Sequence, residues 1–194
     1  MATGFAFRQR AVKKLTPQIG VYVLCDLDNV PVYVGQSRDG IRARVQRHLT
    51  SARSDVIANR QIDVWEIAYV WEYPVEDKAE IAPLEALLFH HFNPKSSLMN
   101  GTIPIPPKGS LRKNIPEPSK VVQVMDDEEI AEKKSIELRL PRQAQHYAQI
   151  VGHFLAVKNS NQIGRAMDAH FKRLSKYHQV MQSLGTESGT EEEE

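Results

Sequence analysis

The alternation of hydrophobic and polar positions changes period several times in the first hundred residues, and each change marks an element. Ile19 to Cys25 reads IGVYVLC and Val30 to Gln36 reads VPVYVGQ, both rich in β-branched and aromatic residues. The turn formers Asp28 and Asn29 lie between them, so the pair predicts a β-hairpin. After Asp39-Gly40, the apolar residues Ile41, Val45 and Leu49 recur every four positions with arginines between them. That period is helical. Ile62 to Tyr73 (IDVWEIAYVWEY) is β-rich and stops at Pro74. Glu76 to Phe92 returns to a helical stripe through Leu84, Leu87, Leu88 and Phe92, with Pro83 tolerable near the first turn. The expected body is α+β: a small three-stranded antiparallel sheet flanked by helices.

Residues 101–120 hold five prolines and two glycines, which predicts an extended linker. Beyond it, Ser135 to Leu140 (SIELRL) alternates polar and apolar and predicts a strand. Pro141 suits the start of a helix reaching about Val157, and Asn159 or Ser160 caps a second helix to about Tyr177. The end, GTESGTEEEE, is acidic and of low complexity, so disorder is expected there. The expected organisation is an N-terminal arm (1–17), an α+β domain (18–101), a Pro-rich linker (102–130), a strand-helix-helix domain (131–180) and an acidic tail (181–194).

Composition narrows the classes. Of 194 residues, 41% are hydrophobic and 25% charged, ordinary globular usage that excludes a largely disordered chain. A single cysteine, Cys25, excludes an intrachain disulfide. No apolar run approaches the roughly 20 residues of a membrane span, and the first residues lack a secretory pattern, so a cytoplasmic protein without membrane contact is expected. The net charge of +1 conceals a gradient, because the five tail glutamates mask a charge of +6 on the remainder. A basic body suggests a polyanionic partner.

Candidate chemistry gathers on the first body. Gly20-Val21-Tyr22 and Tyr33-Val34-Gly35 lie on the paired strands, with the tyrosines eleven residues apart. Arg44 follows Tyr33 by eleven residues, His48 lies one helical turn beyond it, Glu85 is on the second helix, and Asn100 follows by fifteen. In order and spacing, residues 18–101 resemble the GIY-YIG nuclease family. The resemblance implies phosphodiester hydrolysis in DNA with Glu85 holding one divalent metal, magnesium or manganese, since a hard carboxylate oxygen suits such an ion. It implies Tyr22 as the group that deprotonates or positions water, and Tyr33 as an ordering and phosphate-contacting residue. It further implies Arg44 as the phosphate clamp, His48 as a second phosphate ligand or proton relay, and Asn100 as a holder of the loop or a phosphate. The segment after YVG is one residue longer than the common form, so Arg42 and Arg44 both fall in the arginine-rich turn. Arg44, four before His48, fits the pattern, leaving Arg42 and Arg47 as DNA contacts.

The second body resembles the ribbon-helix-helix family through SIELRLPRQ and NSNQIGRAMDAHFKR. So small a unit cannot bury its own core. The resemblance implies a homodimer whose paired strands enter the DNA major groove, with Ser135, Glu137 and Arg139 reading bases. Ser160 and Asn161 would meet a phosphate at the next helix N-terminus. The combined expectation is a metal-dependent DNA endonuclease that its C-terminal module dimerises and targets. The rival is a DNA-binding regulator or adaptor that keeps the nuclease fold without cutting.

Overall fold

The computed structural model describes residues 2–50, 54–107 and 115–188. The N-terminal arm is a helix, α1 (Ala2–Val12), seated in the core through Ala11, Val12 and the following Leu15. The hairpin forms as expected, with β1 (Gly20–Cys25) antiparallel to β2 (Pro31–Ser37). Asp26 closes its turn by accepting the N–H groups of Asp28 and Val30, each at 2.9 Å, and Asn29 takes the left-handed conformation that asparagine tolerates. The arginine-rich stripe is α2 (Ile41–Thr50), followed by the short α3 (Asp55–Ala58).

The third strand is shorter than the β-rich run. Asp63 accepts the N–H of Trp65 at 3.2 Å and starts a 3-10 turn over Val64–Glu66. Only Tyr69–Pro74 is left as β3. The next helix, α4 (Lys78–Ser96), begins at an Asp77 cap and runs through both Pro83 and Pro94.

The sheet has four strands, not three. Lys120–Gln123 (KVVQ), in the stretch expected as linker, pairs antiparallel with β3 as β4, giving the order β2-β1-β3-β4. Residues 108–114 of that stretch lie outside the described residues. All six β1 residues are buried, because the strand is central and covered on both faces. By the two-residue period of a strand, Tyr22 and Leu24 face the α1/α2 layer. Val21, Val23 and Cys25 face α4.

The second body departs most from expectation. After α5 (Asp127–Lys134), residues Ile136–Ala156 form one helix, α6, so the strand predicted over Ser135 to Leu140 does not exist. The ribbon-helix-helix arrangement, and the ribbon route to a dimer, lapse with it. Burial shows why: Leu138 is 45% exposed whereas Arg139 is 4% exposed, the reverse of the expected parity. Arg139 is buried because its guanidinium meets Glu66 Oε2 at 3.0 Å and Asp28 Oδ2 at 2.5 Å. A helix delivers it to those carboxylates. The final helix, α7 (Asn161–Ser188), outruns its expected end, and residues 189–194 lie outside the described residues. Among the described residues there are seven α-helices, none long and apolar enough to cross a membrane.

Helices α6 and α7 form a hairpin docked on the sheet body by buried polar contacts. Arg173 pairs with Asp26, Arg142 with Asp63 at 2.7 Å, and His170 Nε2 donates to the Gln61 carbonyl at 3.0 Å. The His146 ring lies beside that of His170, tilted by 51° with centroids 4.5 Å apart.

Two expectations follow. Removing one partner of a buried ion pair leaves the other charge uncompensated, at a cost of about 3–5 kcal/mol. Arg139→Ala should therefore lower the urea midpoint by that equivalent, and a loss under ~1 kcal/mol would show the pair to be screened by solvent. The second concerns acid. Burial and the adjacent His146 hold His170 down to about 3, against an ordinary value of about 6.5. Below that ordinary value the unfolded chain binds the proton and the folded chain refuses it. Stability is thus full above it and is lost as pH falls toward the folded value. Melts at neutral and acidic pH should show this loss, and His170→Gln should flatten it.

Candidate active site

Strand β2 lies at one edge of the sheet, where helices from both faces converge, and a polar cleft near this edge has a volume of about 460 Å³. Its lining brings together Tyr22 from β1, Tyr33 and Gln36 from β2, Arg44 from α2, Glu85 from α4 and Asn100. These residues are 78 positions apart in sequence at the extremes, and the sheet order and the α4 return place them in one cavity.

Tyr22 is fully buried. Its hydroxyl lies 2.7 Å from His48 Nε2, and His48 Nδ1 lies 2.6 Å from the Ser54 hydroxyl, making a three-residue polar chain. Tyr33 stands beside both rings, its centroid 6.4 Å from Tyr22 and 6.2 Å from His48. Burial, and then the neighbouring Tyr33, push the Tyr22 hydroxyl well above the usual tyrosine range, with Arg44 pulling the other way. Burial likewise raises Tyr33 to about 12. Neither tyrosine is a base at neutral pH without added positive charge.

Register explains the closeness of the pair. Tyr22 is directly opposite Gly35 in the hairpin. A Cβ on Gly35 would come within 2.4 Å of the Tyr22 ring tip and 2.8 Å of the Tyr33 ring. The second glycine of the sequence pattern therefore makes room for the tyrosines, a role that spacing alone did not reveal.

Glu85 is half-buried, with Oε2 accepting a 2.8 Å hydrogen bond from Gln36 Nε2, and burial raises its pKa despite that bond. Gln36 was not anticipated. Strand parity could have found it, since Gln36 shares a face with Val34 and that face packs against α4. Glu85 is the one carboxylate lining the cleft among the described residues, and among them no three acidic, histidine or cysteine residues are arranged to hold a metal ion together. A half-buried carboxylate with raised pKa, oriented through one oxygen, fits a single magnesium-like ion that completes its shell with water and phosphate oxygens.

Arg44 and Arg42 separate clearly. Arg42 donates through Nε to the Leu15 carbonyl at 2.6 Å and braces α2 against the α1–β1 loop. Arg44 lines the cleft, and its Nε is buried without a hydrogen-bond partner among the described residues. A guanidinium so placed is suited to an anion. Arg47 is exposed on α2, away from the cleft lining. Asn100 does not reach outward. Its carboxamide accepts from Val34 N–H at 3.0 Å and donates to Val34 O at 2.6 Å, and Met99 N–H bonds Val32 O at 2.8 Å. Residues 99 and 100 thus cover the free edge of β2, and Asn100 holds backbone rather than phosphate.

The expected base readers are elsewhere. Ser135 precedes α6, Glu137 is on its first turn, and Arg139 is buried in the ion cluster described above. None lines the cleft. Ser160 caps α7 by accepting Ile163 N–H at 3.4 Å, and Asn161 is exposed at the first turn. The neighbouring Gln162 was not anticipated and does line the cleft, as do Gln61 and Thr102.

Residues 18–100 match the family model of the GIY-YIG catalytic domain. A domain of this kind points to a nuclease, and GIY-YIG nucleases generally use divalent metal ions. No curated protein matches the chain.

Gly35→Ala tests the packing at the centre of the site. Overfilling a packed interior costs about 1–3 kcal/mol, so the variant should melt at a lower temperature with its far-ultraviolet circular dichroism intact. Its near-ultraviolet tyrosine band should change. An unchanged band and melting temperature would mean the tyrosines have slack.

Proposed function

We propose that the chain is a divalent-metal-dependent DNA endonuclease whose active site is the cleft lined by Tyr22, Tyr33, Arg44 and Glu85, with the buried His48–Ser54 pair behind Tyr22. One observation carries this reading. A guanidinium with an unsatisfied buried Nε and a carboxylate suited to a hard cation share a cleft with a tyrosine–histidine chain able to move a proton.

Each residue then has a task. Arg44 binds the scissile phosphate, and its charge grows in value as negative charge accumulates on the non-bridging oxygens. Glu85, oriented by Gln36, would hold a magnesium or manganese ion, which when bound supplies Lewis-acid stabilisation of the phosphate. Tyr22 positions the attacking water and accepts its proton while passing its own to His48 Nε2. This is a shuttle that avoids a free phenolate in a buried place. Ser54 holds the imidazole in line through Nδ1. Tyr33, partly exposed beside both rings, orders the phosphate. Asn100 keeps β2, and with it Tyr33, in register.

Supercoiled plasmid incubated with magnesium measures this directly. Loss of one contact to transition-state charge commonly costs about 2.7–4 kcal/mol, a hundredfold or more in rate. Glu85→Ala and Arg44→Ala should each lose at least that much while melting like the wild type. EDTA should silence the wild type and magnesium restore it. Robust cutting by Glu85→Ala overturns the site, and a wild type that binds DNA but never cuts favours the regulator.

A further inference from the structure

The cleft is not uniform in chemistry. Arg44 and Glu85 make one part of it charged, whereas a second part consists of Gln61, Gly101, Thr102 and Gln162 and carries no charge. These four residues are one cluster. A Cβ on Gly101 would meet Gln162 Cβ at 2.9 Å and Gln61 Nε2 at 3.0 Å, and Gln162 Nε2 reaches Thr102 Oγ1 at 3.4 Å. Gly101 therefore leaves both glutamines their places beside the cleft floor. Gln162 comes from the start of α7, outside residues 18–100, so the C-terminal hairpin supplies part of the cleft.

Its position is fixed. One turn along α7, Arg165 donates to Asn100 O at 2.8 Å and to Asn93 Oδ1 at 2.9 Å, and its guanidinium lies over the Phe89 ring. Asn100 in turn holds Val34. Gln61 is 8% exposed, and its backbone oxygen is held by His170 of the same hairpin. Thus α7 clamps the chain on either side of the neutral patch. Side chains on a clamped helix keep their geometry better than side chains on a loop.

We propose that Gln162, with Gln61 and Thr102, reads the base next to the scissile phosphate and gives the enzyme a local base preference. This rests on the nuclease reading for the location of the phosphate. A patch for phosphate would call for cations, and this one has none. A carboxamide instead offers one donor and one acceptor in a plane, which matches a base edge, adenine best of all. Gln162 is exposed and its bond to Thr102 is long, so its amide is free to exchange that contact for a base. The preference comes from the helical hairpin and not from the strand expected at 135–140.

Binding separates this proposal from catalysis. Short duplexes with randomised positions are equilibrated with the Glu85→Ala protein, and bound and free pools are sequenced. A bidentate carboxamide contact corresponds to a preference of about tenfold for one base at one position. Glu85→Ala should show that enrichment, and the double variant Glu85→Ala/Gln162→Ala should reduce it to near unity while melting unchanged. Gln162→Glu in the same background should move the preference toward cytosine, because a carboxylate only accepts. Three outcomes overturn the proposal: no enrichment in Glu85→Ala, the same profile without Gln162, or equal weakening on all sequences. The nuclease reading stands or falls separately, on whether the wild type cuts plasmid.

Discussion

Asp26 is the point on which the two halves of the chain depend. One carboxylate oxygen accepts the N–H groups of Asp28 and Val30 and closes the β1–β2 turn. The other pairs with Arg173 from α7 and lies 3.5 Å from Arg139 of α6. Asp26 is 2% exposed, so its charge has no solvent to fall back on. A buried carboxylate is tolerable only when paired and hydrogen-bonded. The same side chain that shapes the hairpin presenting Tyr22 and Tyr33 therefore requires the C-terminal helices. Glu66 and Asp63 repeat the arrangement, each facing an arginine from α6. Tyr177 lies against the Arg139 guanidinium, 4.1 Å from ring centroid to carbon, and closes the cluster from the α7 side.

This dependence accounts for what was legible in the sequence and what was not. The hairpin, α2 and α4 announce themselves through the local period of their apolar residues, which matches the face each of them buries. Helix α6 does not. Six residues, S-I-E-L-R-L, satisfy a two-residue alternation and also begin a helix, and the deciding contacts join Arg139 to Glu66 and Asp28, 73 and 111 residues away. An arginine read as a solvent-facing strand residue is the centre of a buried ion cluster. Strand β4 was hidden for another reason: four residues in a proline-rich stretch carry too little pattern, and only the open edge of β3 recruits them.

The site shows the same division. Tyr22, Arg44, His48 and Glu85 could be named from order and spacing. Their supports could not, because Gln36, Ser54 and Gly35 act through contacts that need the register and the helix packing to be known. Asn100 was expected to hold either the loop or a phosphate. Once both its amide groups are paired with Val34, only the loop is left.

The electrostatics of the cleft follow from burial in a single direction. Tyr22, Tyr33 and Glu85 are all shifted upward chiefly by desolvation, so the cleft as built disfavours negative charge on each of them. Added positive charge beside Glu85 would reverse that bias for all three together, since they share one cleft. Arg44 supplies part of it already, pulling against the upward shift of both tyrosines. Under the proposed nuclease function, a proton taken up at Tyr22 would have a short path to His48, and the tyrosine would not carry a full charge in a place that resists it. The buried tyrosine is one link in a hydrogen-bonded chain, and the chain holds its geometry because Tyr22 of β1 and Val45 and Leu49 of α2 belong to one core.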